Sequence, residues 1–560
     1  MAHAQERTIV IVGGVAAGAS AAVRARRMNE KARIILYEKD RHVSFANCGL
    51  PYHIGGEIQQ RGKLLVATPE LFSKRFNIEV HTRCEVTGID RRRKVISGVD
   101  RDSGTPFEQT YDKLILAPGA SPVVPPIAGV NASNVFTLRN LEDADRIGAF
   151  LDQHAPRRAV VIGAGFIGLE MVEMLAARSL DVSLVEMLGQ VLPPFDPEMA
   201  HIIQTELHSK GVALHLGNGL AGFEVRDGRM THVVLQDGTA LAGDLAILSI
   251  GVRPNIALAQ AAGLTIGASG GIAVDAHLRT SDPDIYAAGD AVEYCHTVAD
   301  RLMRTPLAGP ANRAGRLAGE HAATDRSAAM GCVLGTAIVR VFDVTAALTG
   351  CTSRMAARDG NATHVSYIRA NHHAGYYPGA QPMTIKLLCD PGTRKILGAQ
   401  IVGGAGVDKR IDVIAALIQS QATVDDLTHL DLAYAPPFGS AKDPLHMAGF
   451  VATNELDGLV HTLPPGAPLD GQQVIDLRTQ KEVADVPLAR APRVMHIPID
   501  ELRGRLAELD RSRPTVTVCA SGLRSYVAAR MLMQHGFDHV SSLAGGALMR
   551  VHAVAAGAGG

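Results

Sequence analysis

The chain opens with Thr8-Ile9-Val10-Ile11-Val12, a short apolar run rich in β-branched residues that predicts a buried strand. Gly13-Gly14-Val15-Ala16-Ala17-Gly18 follows, then an alanine-rich stretch from Ala19 to Met28 that predicts a helix. A second strand over Ala32 to Tyr37 ends in Glu38. The same order returns at Ala159-Val160-Val161-Ile162, which enters Gly163-Ala164-Gly165-Phe166-Ile167-Gly168, and the next strand, Val182 to Val185, closes in Glu186. Near the C-terminus, Val474-Ile475-Asp476-Leu477-Arg478 and Thr515-Val516-Thr517-Val518 predict two more strands, and Tyr526 to Gln534 predicts a helix. Between these blocks, Leu463-Pro464-Pro465-Gly466-Ala467-Pro468 has the proline content of a linker. No apolar run approaches the roughly 20 residues of a membrane span, and no membrane span is expected.

A strand that runs into a glycine turn and then a helix is a place for a dinucleotide. Glycines let the backbone approach a pyrophosphate, the helix N-terminus favours its negative charge, and an acid about 20 residues on accepts from ribose hydroxyls. Gly13, Ala16, Ala17, Gly18 and Glu38 form the first such set, with Val15 in the place of the middle glycine. Gly163, Gly165, Gly168 and Glu186 form the second, with all three glycines. An acid at the strand end repels a 2′-phosphate, so Glu186 favours NADH while NADPH stays open as a second donor. Two dinucleotide folds suggest two cofactors, one resident and one exchanged.

At 560 residues the chain exceeds one hydrophobic core, and three or four domains are expected. Fifty-five basic against 56 acidic residues leave a net charge of −1, which gives no bulk argument for nucleic acid or an anionic membrane. The N-terminus lacks the basic and apolar regions of a signal peptide. The 7 cysteines are scattered, with no CxxC pair or metal-ligand spacing, so no metal is expected and a cytoplasmic, reducing location is the simplest reading.

Leu114-Ile115-Leu116-Ala117-Pro118-Gly119-Ala120 and Ile285-Tyr286-Ala287-Ala288-Gly289-Asp290-Ala291 resemble two further fingerprints of flavoprotein disulfide reductases. The resemblance implies FAD, a flavin contact by Asp290 beside Ala117, and an NAD(P)H domain (121–254) inserted into an FAD domain (1–120 and 255–325). Most such enzymes carry CxxxxC, whereas this chain has Cys48 with Tyr52-His53 where the partner would stand. Ser44-Phe45-Ala46-Asn47-Cys48-Gly49-Leu50-Pro51-Tyr52, followed by His53-Ile54-Gly55-Gly56, resembles the active-site segment of the coenzyme A-disulfide reductases over about residues 5–455. In that family a single cysteine alternates between thiolate and mixed disulfide with coenzyme A. The resemblance implies contacts from Ser44 and Asn47 to the pantetheine end, and from Arg24, Arg26 and Arg27 to the CoA phosphates. A helix starting just after Cys48 would stabilise its thiolate.

Ala433-Tyr434-Ala435-Pro436-Pro437-Phe438-Gly439-Ser440-Ala441-Lys442-Asp443-Pro444 resembles the family's dimerisation domain, here 326–455, and implies a homodimer. Tyr434, with Tyr376 or its neighbour Tyr377, is the candidate to face the reactive sulfur and donate a hydrogen bond. Cys84, Cys295, Cys332, Cys351 and Cys389 lack motif context and read as buried or inert.

After a linker at 456–466, residues 467–556 resemble a single rhodanese domain, an α/β fold. Its loop is Cys519-Ala520-Ser521-Gly522-Leu523-Arg524-Ser525. Cys519 before a helix N-terminus, with Gly522 in the loop and Arg524 alongside, suits an anionic persulfide. The final residues AVAAGAGG read as a frayed tail. The fold class is thus α/β, with two Rossmann-like domains, an α+β dimerisation domain and a rhodanese domain. The combination is similar to the NADH-dependent persulfide reductases, and the expected substrates are small thiols, persulfides, polysulfides and CoA disulfide. Two other readings are an NADH oxidase or peroxidase that cycles Cys48 through sulfenic acid, and a flavin-bound redox sensor or sulfur carrier without turnover.

Overall fold

The computed structural model describes residues 6–491 and 493–558. They group into two compact units, one running up to Leu184 and resuming over Leu220–Gly335, the other made of Val185–Gly219 and the chain from Thr336 onward.

In the first unit, Thr8–Val12 is the central strand of a five-stranded parallel sheet. Its neighbours, in order, are Ile285–Ala287, Lys113–Leu116, Thr8–Val12 itself, Arg33–Glu38 and Ile78–Thr82. Ile9, Val10 and Ile11 are fully buried, as a parallel strand covered on both faces requires. The first helix spans Ala16–Met28, three residues earlier than the alanine run predicted, because the chain already turns helical behind Val15. Helix Ala308–Thr324 packs along it. The strand Ile285–Ala287 therefore returns from far along the chain to complete the first sheet, and a second Rossmann-like layer is inserted between. There Arg158–Ile162 pairs in parallel with Leu245–Leu248, which pairs with Val135–Thr137. Helix Phe166–Ala177 follows the second glycine turn.

The expectation that five cysteines are buried or inert needs correction for the Cys295–Cys332 pair. Cys295 and Cys332 are joined by a disulfide, and Cys84 is half-exposed. Only Cys351 and Cys389 are the buried thiols expected, and burial pushes them up to about 11 and about 12.

In the second unit, five antiparallel strands run in the order Ala337–Val341, Val344–Gly350, Ile396–Gly403, Pro382–Cys389 and His364–Asn371. The segment Val185–Gly219 is fastened to this sheet by buried charge: Lys386 pairs with Asp196 at 2.7 Å and with Glu198, and Gln400 donates to Asp196 at 2.6 Å. A parallel sheet follows, ordered His461–Leu463, Val540–Leu543, Thr515–Val518, Gln473–Asp476 and Val494–His496. The segment read as a linker thus supplies an edge strand of the C-terminal module. The tail is also not frayed as far as it is described: helix Gly546–Ala558 packs against Pro197–Ser209, and His552 Nδ1 lies 3.0 Å from His201 Nδ1. Alanine and apolar residues on one side of that helix supply its packing face. Among the described residues no helix is long and apolar enough to cross a membrane.

Candidate active sites

The first glycine turn has the shape a pyrophosphate cradle needs. A Cβ on Gly13 would stand 2.1 Å from the Ala117 carbonyl oxygen, and one on Gly18 would stand 1.7 Å from that of Gly13, so sheet, turn and helix meet without side chains. Val15 caps the helix without a side-chain hydrogen bond, which leaves the first-turn N–H groups of Ala16, Ala17 and Gly18 for an anion. Glu38 is buried, accepting from Gly14 N at 2.7 Å and from Asp40 N at 2.9 Å. Each oxygen keeps lone-pair capacity for a ribose hydroxyl, and burial first of all pushes this carboxyl up. Asp290 lies 3.3 Å from Arg139 in an ion pair, and Gly289 packs near Ala17, so both expected flavin fingerprints meet the first helix. These residues fit FAD.

Cys48 sits in a 3₁₀ turn, Asn47–Gly49, leading into a helix of five residues, Leu50–Ile54. The thiol is open to solvent on one side. Its backbone N–H donates to Asn47 Oδ1 at 3.1 Å, and Sγ lies 3.8 Å from the same oxygen. Ser44 is held at φ 45°, its N–H donating to Gly14 O at 2.8 Å, which ties the cysteine segment to the first glycine turn. The expectation of a depressed thiol is overturned. Partial burial first, then the carboxylates of Glu170 and Asp290, push the Cys48 thiol up, against Arg139 and its own backbone N–H. Glu170 is anchored by Tyr52, whose hydroxyl donates to it at 3.1 Å, and both were missed in the sequence because 118 residues separate them.

The second turn repeats the first. A Cβ on Gly168 would lie 1.9 Å from Gly163 O, while one on Gly165 would meet open space, the combination a second pyrophosphate requires. Beside it the buried Ser249 hydroxyl has no hydrogen-bond partner. Glu186 is buried at its strand end and accepts from Leu188 N at 2.9 Å. The glycines of this turn fit the pyrophosphate of a nicotinamide dinucleotide.

The arginines expected for CoA phosphates divide. Arg26 is turned inward and donates to the carbonyls of Asn29, Glu30, Phe76 and Asn77, which makes it a structural tie and corrects that expectation. Its position on the helix face toward Phe76 decides this. Arg24 pairs with Glu320, its Nε at 2.8 Å, and Arg27 lies over the Phe76 ring at 5.8 Å. In the second unit, Tyr376 and Tyr434 are exposed and hydrogen-bond through their hydroxyls at 2.9 Å. Tyr377 instead stands edge-on to His373.

Cys519 is the opposite of Cys48. It is 1% exposed, with Gly522 N donating to its sulfur at 3.1 Å and the thiol donating to Ser525 Oγ at 3.6 Å. Gly522 has φ 113°, a conformation that turns its N–H toward the thiol at the start of helix Leu523–Gln534 and excludes a side chain. Arg524 faces the sulfur and forks onto Glu482 at 2.6 and 2.9 Å. That guanidinium holds Glu482 well down, at about 2. Glu482 also closes a capping box with Thr479 at the start of helix Gln480–Asp485, and its pairing with Arg524, 42 residues on, was missed in the sequence. Buried Arg478 and Asp476 brace the neighbouring strand at 2.7 Å.

Two dinucleotide cradles, one exposed thiol in the same unit as the first of them and a separate enclosed thiol in a C-terminal α/β module fit a nucleotide-dependent oxidoreductase. Residues 7–311 match the family of pyridine nucleotide-disulphide oxidoreductases, 336–444 its dimerisation domain, and 466–548 the rhodanese-like domain. The coenzyme A disulfide reductase of Staphylococcus haemolyticus is 36% identical over 450 residues, 80% of this chain and 99% of the relative. The solved structure of reduced Bacillus anthracis CoADR-RHD has a TM-score of 0.94 at 44% identity, covering 98% of this chain and 99% of that one. The NAD-dependent persulfide reductase from A. fulgidus has a TM-score of 0.91 at 38% identity, covering 97% and 99%. The chain belongs to the pyridine nucleotide-disulphide oxidoreductase family: it is an FAD-dependent oxidoreductase that uses NAD(H) and carries a dimerisation domain and a C-terminal rhodanese domain.

Proposed function

We propose that the protein is a homodimeric, NADH-dependent reductase of CoA persulfide, polysulfide and CoA disulfide. Cys48 is its redox residue and Cys519 its handler of sulfane sulfur. The observation that carries this is the contrast of one exposed thiol in the flavin-binding unit with one enclosed thiol in an N–H and guanidinium cradle. The NAD-dependent relative and the acid Glu186 both favour NADH. Exposed Tyr376, Tyr377, Tyr434 and Phe438 form an aromatic surface on the dimerisation domain that a second copy would cover.

Cys48, once deprotonated, attacks the CoA-bearing sulfur of CoA–S–SH, forming Cys48–S–S–CoA and releasing HS⁻. Bound FAD supplies the two-electron path from the nicotinamide to this sulfur. Reduction returns the Cys48 thiolate and CoA thiol, so the sum is CoA–S–SH + NADH + H⁺ → CoA–SH + H₂S + NAD⁺. Asn47 holds the Cys48 backbone in place, Arg139 opposes the field of Glu170 and Asp290 during ionisation, and Arg24 and Arg27 serve the CoA phosphates. Cys519 carries sulfane sulfur as Cys519–S–S⁻, stabilised by Gly522 N–H and Arg524. The location expected for such a reductase is cytoplasmic.

The test is sulfide release from flavin-loaded protein with NADH and, in separate reactions, CoA persulfide, CoA disulfide or O₂. Sulfide from the persulfide, lost in Cys48→Ser, is the expected result. Rapid NADH consumption with O₂ alone, indifferent to sulfur substrates, would overturn it in favour of an oxidase.

A further inference from the structure

Neither proposed reaction uses the disulfide between Cys295 and Cys332, which closes a loop of 37 residues in sequence within the first unit. Both residues are half-exposed. Cys295 lies on strand Glu293–His296, directly after the Gly289-Asp290 flavin fingerprint, and Cys332 lies just before the chain leaves this unit. The enclosed loop contains helix Ala308–Thr324, which packs along the dinucleotide helix Ala16–Met28.

Two features make this pair more than a passive crosslink. The first is that the backbone holds the partners together without the S–S bond. Val333 N donates to Cys295 O at 2.8 Å and Thr297 N to Val333 O at 2.9 Å, with Cα atoms of the two cysteines 4.6 Å apart. Reduction therefore leaves two thiols preorganised to close again. The second is the connection to the flavin end. Tyr294, the residue before Cys295, is buried, and its hydroxyl accepts from Gly289 N at 2.8 Å and donates to Gly289 O at 3.1 Å. A constraint placed on Cys295 is thus one residue away from a clamp on the Asp290 turn.

We propose that Cys295 and Cys332 form a further thiol–disulfide site, closed by small disulfides and persulfides, reopened by thiols, and acting as a staple on the flavin-binding unit. One thiolate attacks R–S–S–R, forming a mixed disulfide and releasing RS⁻. The second attacks the mixed disulfide at the cysteine sulfur and expels another RS⁻. In sum, two cysteine thiols and one R–S–S–R give the protein disulfide and two R–SH. With a persulfide, R–S–SH, the products are R–SH and H₂S. The oxidant is of the class proposed as substrate for Cys48, and in this sense the inference rests on that reading.

The experiment uses full-length, flavin-loaded Cys48→Ser/Cys519→Ser protein, so that closure is read without turnover. The protein is reduced with a phosphine, desalted without air, treated with CoA disulfide or inorganic polysulfide, alkylated and peptide-mapped. The expected result is that the Cys295 and Cys332 peptides are both alkylated before treatment, appear as one linked Cys295–Cys332 peptide after it, and are both recovered as thiols with dithiothreitol under native conditions. The closed form should melt several degrees higher and lose FAD more slowly, differences absent from Cys332→Ser, or from Cys295→Ser if that variant fails to fold. Thiols that stay alkylatable after either oxidant, a bond that native dithiothreitol does not open, or an unchanged melting temperature would each overturn the proposal. NADH oxidation by the wild-type protein with CoA disulfide, run in parallel, separates this failure from failure of the reductase reading.

Discussion

Cys48 and Cys519 are both single cysteines at the start of a helix, yet their surroundings differ in nearly every respect. Cys48 is open to solvent, followed by a helix of five residues, and faces two carboxylates. Cys519 is enclosed, followed by a helix of 12 residues, and faces backbone N–H and a guanidinium. The first environment penalises standing negative charge and leaves room for a large reactant. The second encloses the sulfur and offers it a backbone N–H donor. Position before a helix therefore does not determine a thiol's chemistry; burial and the charges facing the sulfur weigh on it as well.

The strongest way to break this contrast is to exchange the thiols' functions. Cys48→Ser should lose NADH-dependent persulfide and disulfide reduction by about 10³-fold or more while keeping sulfur transfer to a small nucleophile, and Cys519→Ser should do the reverse. Steady-state assays of both activities on both variants decide it, and loss of both in either variant would end the division of labour. Next in size, Arg524→Gln should slow sulfur transfer about 10- to 100-fold, the worth of a hydrogen bond to a charged group, with NADH-dependent reduction unchanged. Because Glu482 is held down at about 2, the Arg524 ion pair is fully formed above the ordinary carboxylate range and is lost as pH falls toward that value. The acid limb of sulfur transfer should accordingly not arise near the usual glutamate range, as a pH profile would show.

Glu170→Gln sharpens the comparison from the other side. Removing an acid that pushes Cys48 up should move the midpoint of its iodoacetamide alkylation to lower pH. A midpoint that stays in place would assign the raised thiol to burial alone. The smallest effect is expected from Tyr376→Phe and Tyr434→Phe, about two- to tenfold in reductase kcat, since each removes one neutral hydrogen bond.

Much of this architecture could be read from residues whose neighbours in sequence are also their neighbours in space. Thr8–Val12 and Thr515–Val518 are strands to the residue, because a β-branched run between polar ends carries its own boundaries. The glycine turns, the Cys519 loop and the two strand-end acids are local patterns too. What escaped is pairing across distance. Tyr52 and Glu170, Glu482 and Arg524, and Cys295 and Cys332 are brought together by the tertiary fold, and no periodicity marks them. Arg26 shows the converse: three arginines within four positions read as one basic face, but helical rotation turns the middle one into the protein, where four carbonyls take up its donors.

The strand His461–Leu463 sits before the stretch of prolines, yet it hydrogen-bonds along Val540–Leu543 at the margin of the C-terminal sheet. Cutting the gene within the prolines would strip that margin and leave a row of bare amides and carbonyls, a template for aggregation. A portable sulfur-transfer module should therefore begin upstream of His461. The connecting segment is thus part of the second module's fabric, and any cut made at this seam must carry a strand with it.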